Sequence, residues 1–414
     1  MISMTEEKLV VHYIENAVKI VQTRVSSLRK KDVLRTSVRL YDGKTMGVAG
    51  SLGECDEKEL NTRAKRSLEL GIPYPSEATK DLEREEYVQS DLQNSAELLE
   101  ATEEILERLR IDQPEFSFSH IFRSSKIESQ LRNNLGLNLK SSRESVSLSL
   151  VIKDKKSSNI IDAITGYEGR KFQKKRFIEL TNMICDAYKN QLEGIEEGEY
   201  PVVFMSDDIT YYKKLYESLN GMLFATGGSL LSGKTDMKVF SEKVTLLQTR
   251  NVMDGFNEPF FDSEGTVNDA DRFALIENGV VRSPYTDKKT ASTYSLPLTG
   301  SAGGEFDGLP ELGTPMLKFS ESEETIKQLL GGQKGIFVLI ASGGDFTQDG
   351  HFATPAQLAF LFDGERFIGR LPEISISSHL YDMFGKDFRG VSSNDFLGLE
   401  NAKLTVMNMK VEKL

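Results

Sequence analysis

Gly228-Ser229-Leu230-Leu231-Ser232-Gly233-Lys234-Thr235 matches, letter for letter, the glycine-rich loop that cradles nucleotide phosphates. Phosphate chemistry there needs a buried strand entering the loop and a helix leaving it, so that amides at the helix N-terminus face the ligand. The apolar spacing places a helix, Ile209 to Phe224, before the loop and a strand after it. No apolar strand ending in Asp follows to hold magnesium. The segment reads as a surface loop, and nucleotide binding through Gly228 to Thr235 is carried only as a third function.

Histidine is scarce: His12, His120, His351 and His379 are the whole set. None lies within helical reach of another, so no local pair sets two imidazoles on one helical face for zinc. A metal assembled from separated residues stays open. His120 shares strand parity with Phe116, Phe118 and Phe122, which predicts a hydrogen-bonded histidine in the core or at a sheet edge. His351, in the polar loop Gly343 to Phe352, and His379, near a helix start, are the two candidate functional imidazoles. Cys55 and Cys185 lack a CxxC partner, so neither a disulfide framework nor a thiolate cage is expected. There is no Gly-x-Ser-x-Gly elbow. The carboxylates of Asp262-Ser263-Glu264 and Asp269-Ala270-Asp271 could serve acid–base chemistry or a metal, but Gly265 directly after the first cluster favours turn duty.

These groups need a frame. A chain of 414 residues with 39% apolar content is long enough for two or three domains with proper cores. Its 63 Asp and Glu against 51 Lys and Arg give a formal charge of -12. Phosphate neutralisation needs the opposite surplus, so no nucleic-acid partner is expected. No apolar run approaches the roughly 18 to 20 residues of a membrane span, and no apolar signal core opens the chain. A cytoplasmic protein with no membrane partner is the expectation.

Val10, Ile14, Ala17, Val18, Val21, Val25 and Leu28 recur at three- and four-residue steps and predict an opening helix. Leu34, Thr36, Val38 and Leu40 alternate with polar residues and pass through Asp42-Gly43 to Met46 and Val48, a hairpin pattern. Leu98, Thr102, Ile105 and Leu109 mark an amphipathic helix with a solvated acidic face. Strands are predicted around Phe116 to Phe122 and Val146 to Ile152, with turn residues Asn133-Asn134-Leu135-Gly136 between them. A helix over Lys171 to Tyr188 leads to the acidic, glycine-containing stretch Gly194 to Glu199, which sets the boundary between domains 1–193 and 200–414. Beyond it come a buried strand, Pro201 to Met205, and the helix Ile209 to Phe224 with Tyr212, Leu215, Tyr216, Leu219 and Leu223 inward. Strands at Val244 to Thr249, Phe273 to Ile276 and Ile336 to Ile340 follow, then a hairpin over Leu358 to Ile368 around Asp363-Gly364. The fold class is α+β, with an N-terminal helix and sheet domain and a strand-rich C-terminal domain.

Phe261-Asp262-Ser263-Glu264-Gly265, Leu275-Ile276-Glu277-Asn278-Gly279-Val280, Thr290-Ala291 and Thr299-Gly300 form an ordered set that resembles the TldD/PmbA family, whose members are also called modulators of DNA gyrase. The likeness continues through Lys334-Gly335-Ile336, Gly343 to Phe352, Leu361-Phe362-Asp363-Gly364-Glu365 and Leu371-Pro372-Glu373-Ile374, and covers the second domain. In the first domain it rests on element order and on Asn134-Leu135-Gly136. By this resemblance Asp262, Glu264, Gly265, Gly279, Thr290, Ala291 and Gly300 are motif positions that build the frame or line a groove.

The resemblance implies a proteolytic assembly of two kinds of subunit acting on peptides or unfolded chains. One kind carries His-Glu-x-x-x-His on the helix after the first strand of the second domain, with a cysteine ligand near the C-terminus. The other, PmbA- or TldE-like, lacks them. Here the helix reads Tyr216-Glu217-Ser218-Leu219-Asn220-Gly221, so Tyr216 and Gly221 stand where the imidazoles would be, flanking Glu217. Ser392 and Ser393 lie in the stretch matching the cysteine. The resemblance thus implies a subunit with no catalytic residue, metal or cofactor of its own, paired with a TldD-like metalloprotease subunit or with itself, that helps admit or position peptide. The alternative is a stand-alone hydrolase using His351 or His379 with Asp345, Asp349 or Asp382.

Overall fold

The computed structural model describes residues 4–74, 77–92, 94–255 and 257–414. A long hairpin opens the fold: β1 (Thr5–Val21) pairs with β2 (Arg24–Tyr41) along its whole length. The expected opening helix is therefore strand. Its valines and isoleucines favour extended backbone, and Gln22 and Thr23, at φ 49° and 61°, form the left-handed two-residue turn without a glycine to announce it. The helical spacing arises because residues of both parities along β1 are half-buried, which erases the alternation of a one-faced strand. The Asp42-Gly43 turn then leads into β3 (Met46–Leu52), as predicted. Leu60 and Ala64 of α1 (Glu57–Leu68) cover Val38 and Leu40.

After β4 (Leu82–Val88) comes the acidic amphipathic helix, α2 (Ser95–Asp112), with a capping box between Asn94 and Glu97. The second long hairpin is β5 (Phe116–Asn133) and β6 (Leu137–Asp154). Asn133 Oδ1 accepts from the amides of Leu135 and Leu137 and closes its turn. The strands run β3-β2-β1-β5-β6, with β4 along the first half of the outer edge of β6 and β7 (Ala163–Gly169) along the second. Helix α2 and α3 (Lys174–Lys189) bury Leu98, Ile105, Leu109, Phe177 and Ile184 against Val18, Phe118, Phe122 and Leu148 of one face.

The acidic linker ends in β8 (Gly198–Met205). The single helix expected next is broken into a 3-10 turn (Ile209–Tyr211), α4 (Lys213–Ser218) and α5 (Gly221–Ala225), because the Asn220 side chain accepts from the amides of Met222 and Leu223 and starts a new helix. Tyr212, Leu215 and Leu219 are buried, whereas Leu223 is exposed, against expectation. Residues 228–235 then form consecutive turns with no strand before β9 (Leu246–Thr249), as a surface loop should.

Strand β9 joins β10 (Arg272–Glu277), β11 (Val280–Val281) and the later β14 (Leu317–Phe319) in a four-stranded sheet; α6 (Lys288–Tyr294), β12 (Ala302–Gly303) and β13 (Glu311–Leu312) lie between β11 and β14. After α7 (Ile326–Leu330) come β15 (Gly335–Ala341), β16 (Asp345–Phe346), β17 (His351–Phe362), β18 (Phe367–Arg370), β19 (Ile374–His379), α8 (Leu380–Met383), β20 (Phe388–Val391) and β21 (Leu404–Lys413). With β8 these strands make an eight-stranded sheet in which β15 pairs with both β8 and β17, so that β15, β8, β21, β19 and β17 close a ring. Val202, Phe204, Ile336, Ile376 and Met407 belong to its core. The class is α+β, and no described helix is long and apolar enough to cross a membrane.

Two apolar seams join the sheets. Phe337, Phe360 and Phe396 share one core with Phe177 and Ile184. Phe260 and Phe261 pack against Leu131, Leu137 and Leu139, with the Arg84 guanidinium 4.0 Å from the Phe260 ring centroid. Phe260→Ala empties part of the second seam and should cost about 3 kcal/mol. Urea denaturation reads this as a lower midpoint, and an unchanged midpoint would refute the role given to this seam.

A cleft between the two sheets as candidate functional site

The two seams leave a cleft of about 1310 Å³ between them. On β7, Ala163, Thr165 and Tyr167 are buried while Ile164, Gly166 and Glu168 are exposed, so the alternation of that strand brings Glu168 to the cleft. Ser147 and Ser149 of β6 line it beside them. Opposite stand the end of β8 with Asp207 and Asp208, the Tyr212 and Tyr216 rings, and the second half of β15. Strand β8 pairs with β15 at Ile336 and Phe337, so among the described residues the Val338–Ala341 edge on that side has no strand partner and β7 pairs with β6 alone. Both free edges line the cleft.

The acids of the cleft differ in their compensation. Burial pushes Asp254 up, but Arg272 at 2.6 Å, Thr249 at 2.7 Å and Lys318 at 3.0 Å together hold its carboxyl below the ordinary range. Glu258 meets Arg250 at 2.9 Å, and Glu400 meets Arg170 at 3.1 Å. Glu168 accepts from Asn257 Nδ2 at 2.6 Å and from no other group among the described residues. The protein around it pushes its carboxyl up, Asn257 opposes this, and the charge of Asp207 adds to it. Asp207 is raised by its surroundings and by Asp208. Both side chains reach water inside the cleft while its walls crowd them.

Of the positions matched to a metal motif, Tyr216 stands in the cleft wall. Its hydroxyl donates to the Pro315 carbonyl at 2.9 Å, its ring packs on Tyr285 at 5.5 Å, and burial holds the phenol above its ordinary range. Glu217 is half-exposed, 3.4 Å from Lys214. Gly221 is buried so tightly that a Cβ there would lie 2.7 Å from the Tyr285 carbonyl oxygen and 2.9 Å from Thr290 Cγ2. Ser392 lies just beyond β20, fully buried, donating to the Asn394 carbonyl at 2.9 Å and accepting from the Leu404 amide at 3.0 Å. The neighbouring Ser393 carbonyl takes Lys403 Nζ at 2.6 Å. A phenol committed to a carbonyl, a residue without a side chain and a hydroxyl used on both sides do not fit a divalent metal. Among the described residues no three His, Cys, Asp or Glu side chains are grouped to hold an ion.

Asp262 and Glu264 sit outside the cleft, at the second seam. Asp262 Oδ1 accepts from the amides of Glu264 and Thr266 at 2.9 and 2.8 Å, and its Oδ2 from Ala302 at 3.0 Å. This is the turn duty predicted, completed by Gly265 at φ 72°. Glu264, 3% exposed, accepts from the Tyr74 hydroxyl and, at 2.9 Å, from the Lys288 amide that opens α6. Burial pushes its carboxyl up to about 7 despite the Lys288 amide and charge. Gly279 follows Asn278 in the β10–β11 turn, at φ 78°, with the Phe240 carbonyl 2.3 Å from where a Cβ would be. The Thr290 amide is capped by Asp287 at 2.7 Å, and Ala291 is buried beside it. The Gly300 carbonyl accepts from the buried Gln248 at 3.1 Å. The Asp269–Asp271 cluster is also structural, with Asp271 meeting Arg84 at 2.7 Å.

The histidines depart from expectation in two ways. His120 is neither core nor edge: at φ 140° it interrupts the alternation of the central strand β5 and is exposed in the cleft. His351 and His379, distant in sequence, face each other across β17 and β19 with ring centroids 4.7 Å apart. His379 Nε2 lies 3.0 Å from the Asp349 carbonyl and its Nδ1 accepts from the Tyr381 amide, so both of its nitrogens are engaged. Sequence reasoning missed Glu168, Asp207 and the buried Arg39. Asp207-Asp208 directly after a buried strand was the one legible signal, because acids at that place start helical turns.

Residues 197–412 match the PmbA/TldA metallopeptidase C-terminal domain. The fold is similar to that of TldE from Thermococcus kodakarensis, with a TM-score of 0.82 at 18% identity over 99% of this chain and 96% of that one. It is also similar to a protein from Thermotoga maritima described as a candidate modulator of a DNA gyrase, with a TM-score of 0.78 at 15% identity over 99% of this chain and 96% of that one. A protein of Bacteroides thetaiotaomicron described in the same way gives 0.77 at 15% identity over 99% and 95%. At these identities the likeness is one of fold. No curated protein matches the sequence.

The Glu264 geometry makes stability depend on pH. The carboxyl titrates near 7 when folded against 4.5 ordinarily, so between these values the folded chain holds a proton that the unfolded chain releases. Its contribution is fully present below about 4.5 and is lost as pH rises through about 7. Glu264→Gln should flatten the fall in urea midpoint over this window, by up to roughly 1 kcal/mol per pH unit. Parallel pH profiles for the two proteins would contradict the assignment.

Proposed function

The chain belongs to the PmbA/TldD family, and from this premise we propose that it is the PmbA/TldE-like member of a two-subunit peptidase, holding peptide without cleaving it. The observation that carries the reading is Tyr216: in the cleft wall, where the metal-bearing kind of subunit is expected to have an imidazole, stands a half-buried phenol whose proton is given to Pro315. Without a bound metal there is no Lewis acid for the scissile carbonyl and no activated water. Glu217 alone does not supply either.

The cleft supports the binding half of the proposal. Unpaired amides and carbonyls along Val338–Ala341 and β7 offer an extended chain the hydrogen bonds of an added strand, whatever its side chains. A volume of about 1310 Å³ exceeds what a single small molecule needs. The chain would act in the cytoplasm, with a TldD-like subunit or a second copy completing the assembly, and residues 1–193 and 200–414 would serve as the two domains whose junction forms the cleft. A stand-alone hydrolase built on His351 and His379 is less well supported, because both nitrogens of His379 are already bonded.

Purified alone, the protein should contain no stoichiometric zinc by elemental analysis and leave unfolded casein intact. Co-expressed with a homologue bearing His-Glu-x-x-x-His, it should co-purify in a complex whose peptidase activity is abolished by chelator. Chelator-sensitive cleavage by the isolated chain would end the proposal.

A further inference from the structure

We propose that the outer edge of β2, over residues 24–33, is a docking site for an extended, acid-rich segment of a partner protein, which adds to the seven-stranded sheet as a further strand. The site lies on the opposite edge of that sheet from β7 and does not depend on the peptide-holding reading of the cleft.

Strand β3 pairs with β2 from Arg35 onward, and the Gly53 amide adds one bond to the Leu34 carbonyl. Before Leu34 the inner edge of β2 pairs with β1 as far as Arg24, while among the described residues the outer edge has no strand partner. Alternate amides and carbonyls of this stretch are therefore open to another chain. The side chains select that chain. Residues 19–35 hold six cations and one acid in a molecule of net charge -12. The acid, Asp32, lies 2.6 Å from His12 Nε2. Lys31 sits over the Tyr13 ring and Arg35 over that of Phe306. Lys19, Arg24, Arg29 and Lys30 are exposed and have no ion-pair partner among the described residues. The register sets Arg24, Arg29 and Lys31 opposite Val21, Ala17 and Glu15 of β1, so they share one face with Lys19. An added strand with an acid at every second position brings its carboxylates beside the three on β2. Leu28, 40% exposed, and the half-buried Val25 meet the side chains of its other face. A second copy of the same edge would set cation against cation, so the edge rejects itself. Sheet-edge amides and carbonyls pair with the backbone of a polypeptide, which a nucleic acid lacks, and this decides between the two anionic partners.

The test uses the full chain and two labelled peptides of equal length, one alternating Thr with Glu and the other Thr with Lys, read by fluorescence anisotropy and by amide hydrogen exchange. The Glu peptide should bind, and Arg24→Glu with Arg29→Glu should weaken it about tenfold. Lys65→Glu with Arg66→Glu, on the exposed face of α1, makes the same change in charge elsewhere and should leave its affinity unchanged. Exchange should slow at amides of residues 24–33 with the Glu peptide and not with the Lys peptide. No binding of the Glu peptide would overturn the inference, and equal weakening in both double variants would reduce it to net charge. Slowed exchange at β7 or β15 alone would overturn it while leaving the peptide-holding reading in place. Tighter binding of a labelled single-stranded oligonucleotide, abolished by the Arg24 and Arg29 changes, would overturn it in favour of a nucleic acid. A dimer of the unsubstituted chain that the same changes dissociate would do so in favour of a second copy.

Discussion

A buried carboxylate persists only when its lone pairs are used, and Asp262 fixes the seam between the sheets on that condition. Its three amide hydrogen bonds fold residues 262–266 into one shape. That shape turns the Ser263 carbonyl to the Arg39 guanidinium, which is also 3.2 Å from Glu7, and the Glu264 carboxyl to Tyr74 and Lys288. Phe260 and Phe261, immediately before it, are thereby held against Leu131, Leu137 and Leu139. Polar and apolar contacts at this seam are one constraint: moving the loop to free a phenylalanine would strand a charge.

The cleft follows from where that constraint acts. The seam lies at the β5–β6 turn end of the long hairpins, and the other apolar junction, through Phe177, Ile184, Phe337 and Phe396, lies around α3. Between the two, the faces of β6 and β7 meet the C-terminal sheet through polar bridges. Arg143, 2% exposed, reaches Glu86 and the Arg250 carbonyl, and Ser145 reaches Asn257. Serines at positions 145, 147 and 149 keep this face from collapsing into a core, since a hydroxyl loses more by burial without a partner than a methyl does. Long strands fixed near two places thus leave a wet, strand-edged space.

Legibility in the sequence followed the local physics. Strands covered on one face, such as β6 with Val146, Leu148, Leu150 and Ile152, announced themselves by alternation, and the amphipathic α2 by its stripe. Strand β1 did not, because it is central and half-covered on both sides, and its turn at Gln22-Thr23 uses residues that seldom adopt positive φ. The Ile209–Phe224 segment kept a helical period across two breaks because Asn220 re-caps the chain nearly in phase. Asp262-Ser263-Glu264-Gly265 was legible as a turn, but its partners Arg39 and Tyr74 lie far away in the chain, and no local pattern connects them. The same holds for His351 opposite His379: cross-strand neighbours are set by topology, not spacing.

On the proposed reading, holding a peptide and cutting it make separable demands on this fold. Holding needs two sheet edges with unpaired backbone groups and a gap wide enough for a chain, and both come from strand pairing that stops at Phe337 on one side and at β7 on the other. Cutting needs an imidazole cage at one point of the wall, which a few side chains decide. Tyr216 and Gly221 show how those side chains can serve packing instead: the tyrosine ring and the α5 backbone both close on Tyr285, and the missing Cβ of Gly221 lets α5 approach α6 at Thr290. Restoring imidazoles there would have to displace that contact, so the position is committed to the wall, and the edges beside it keep their capacity to bind.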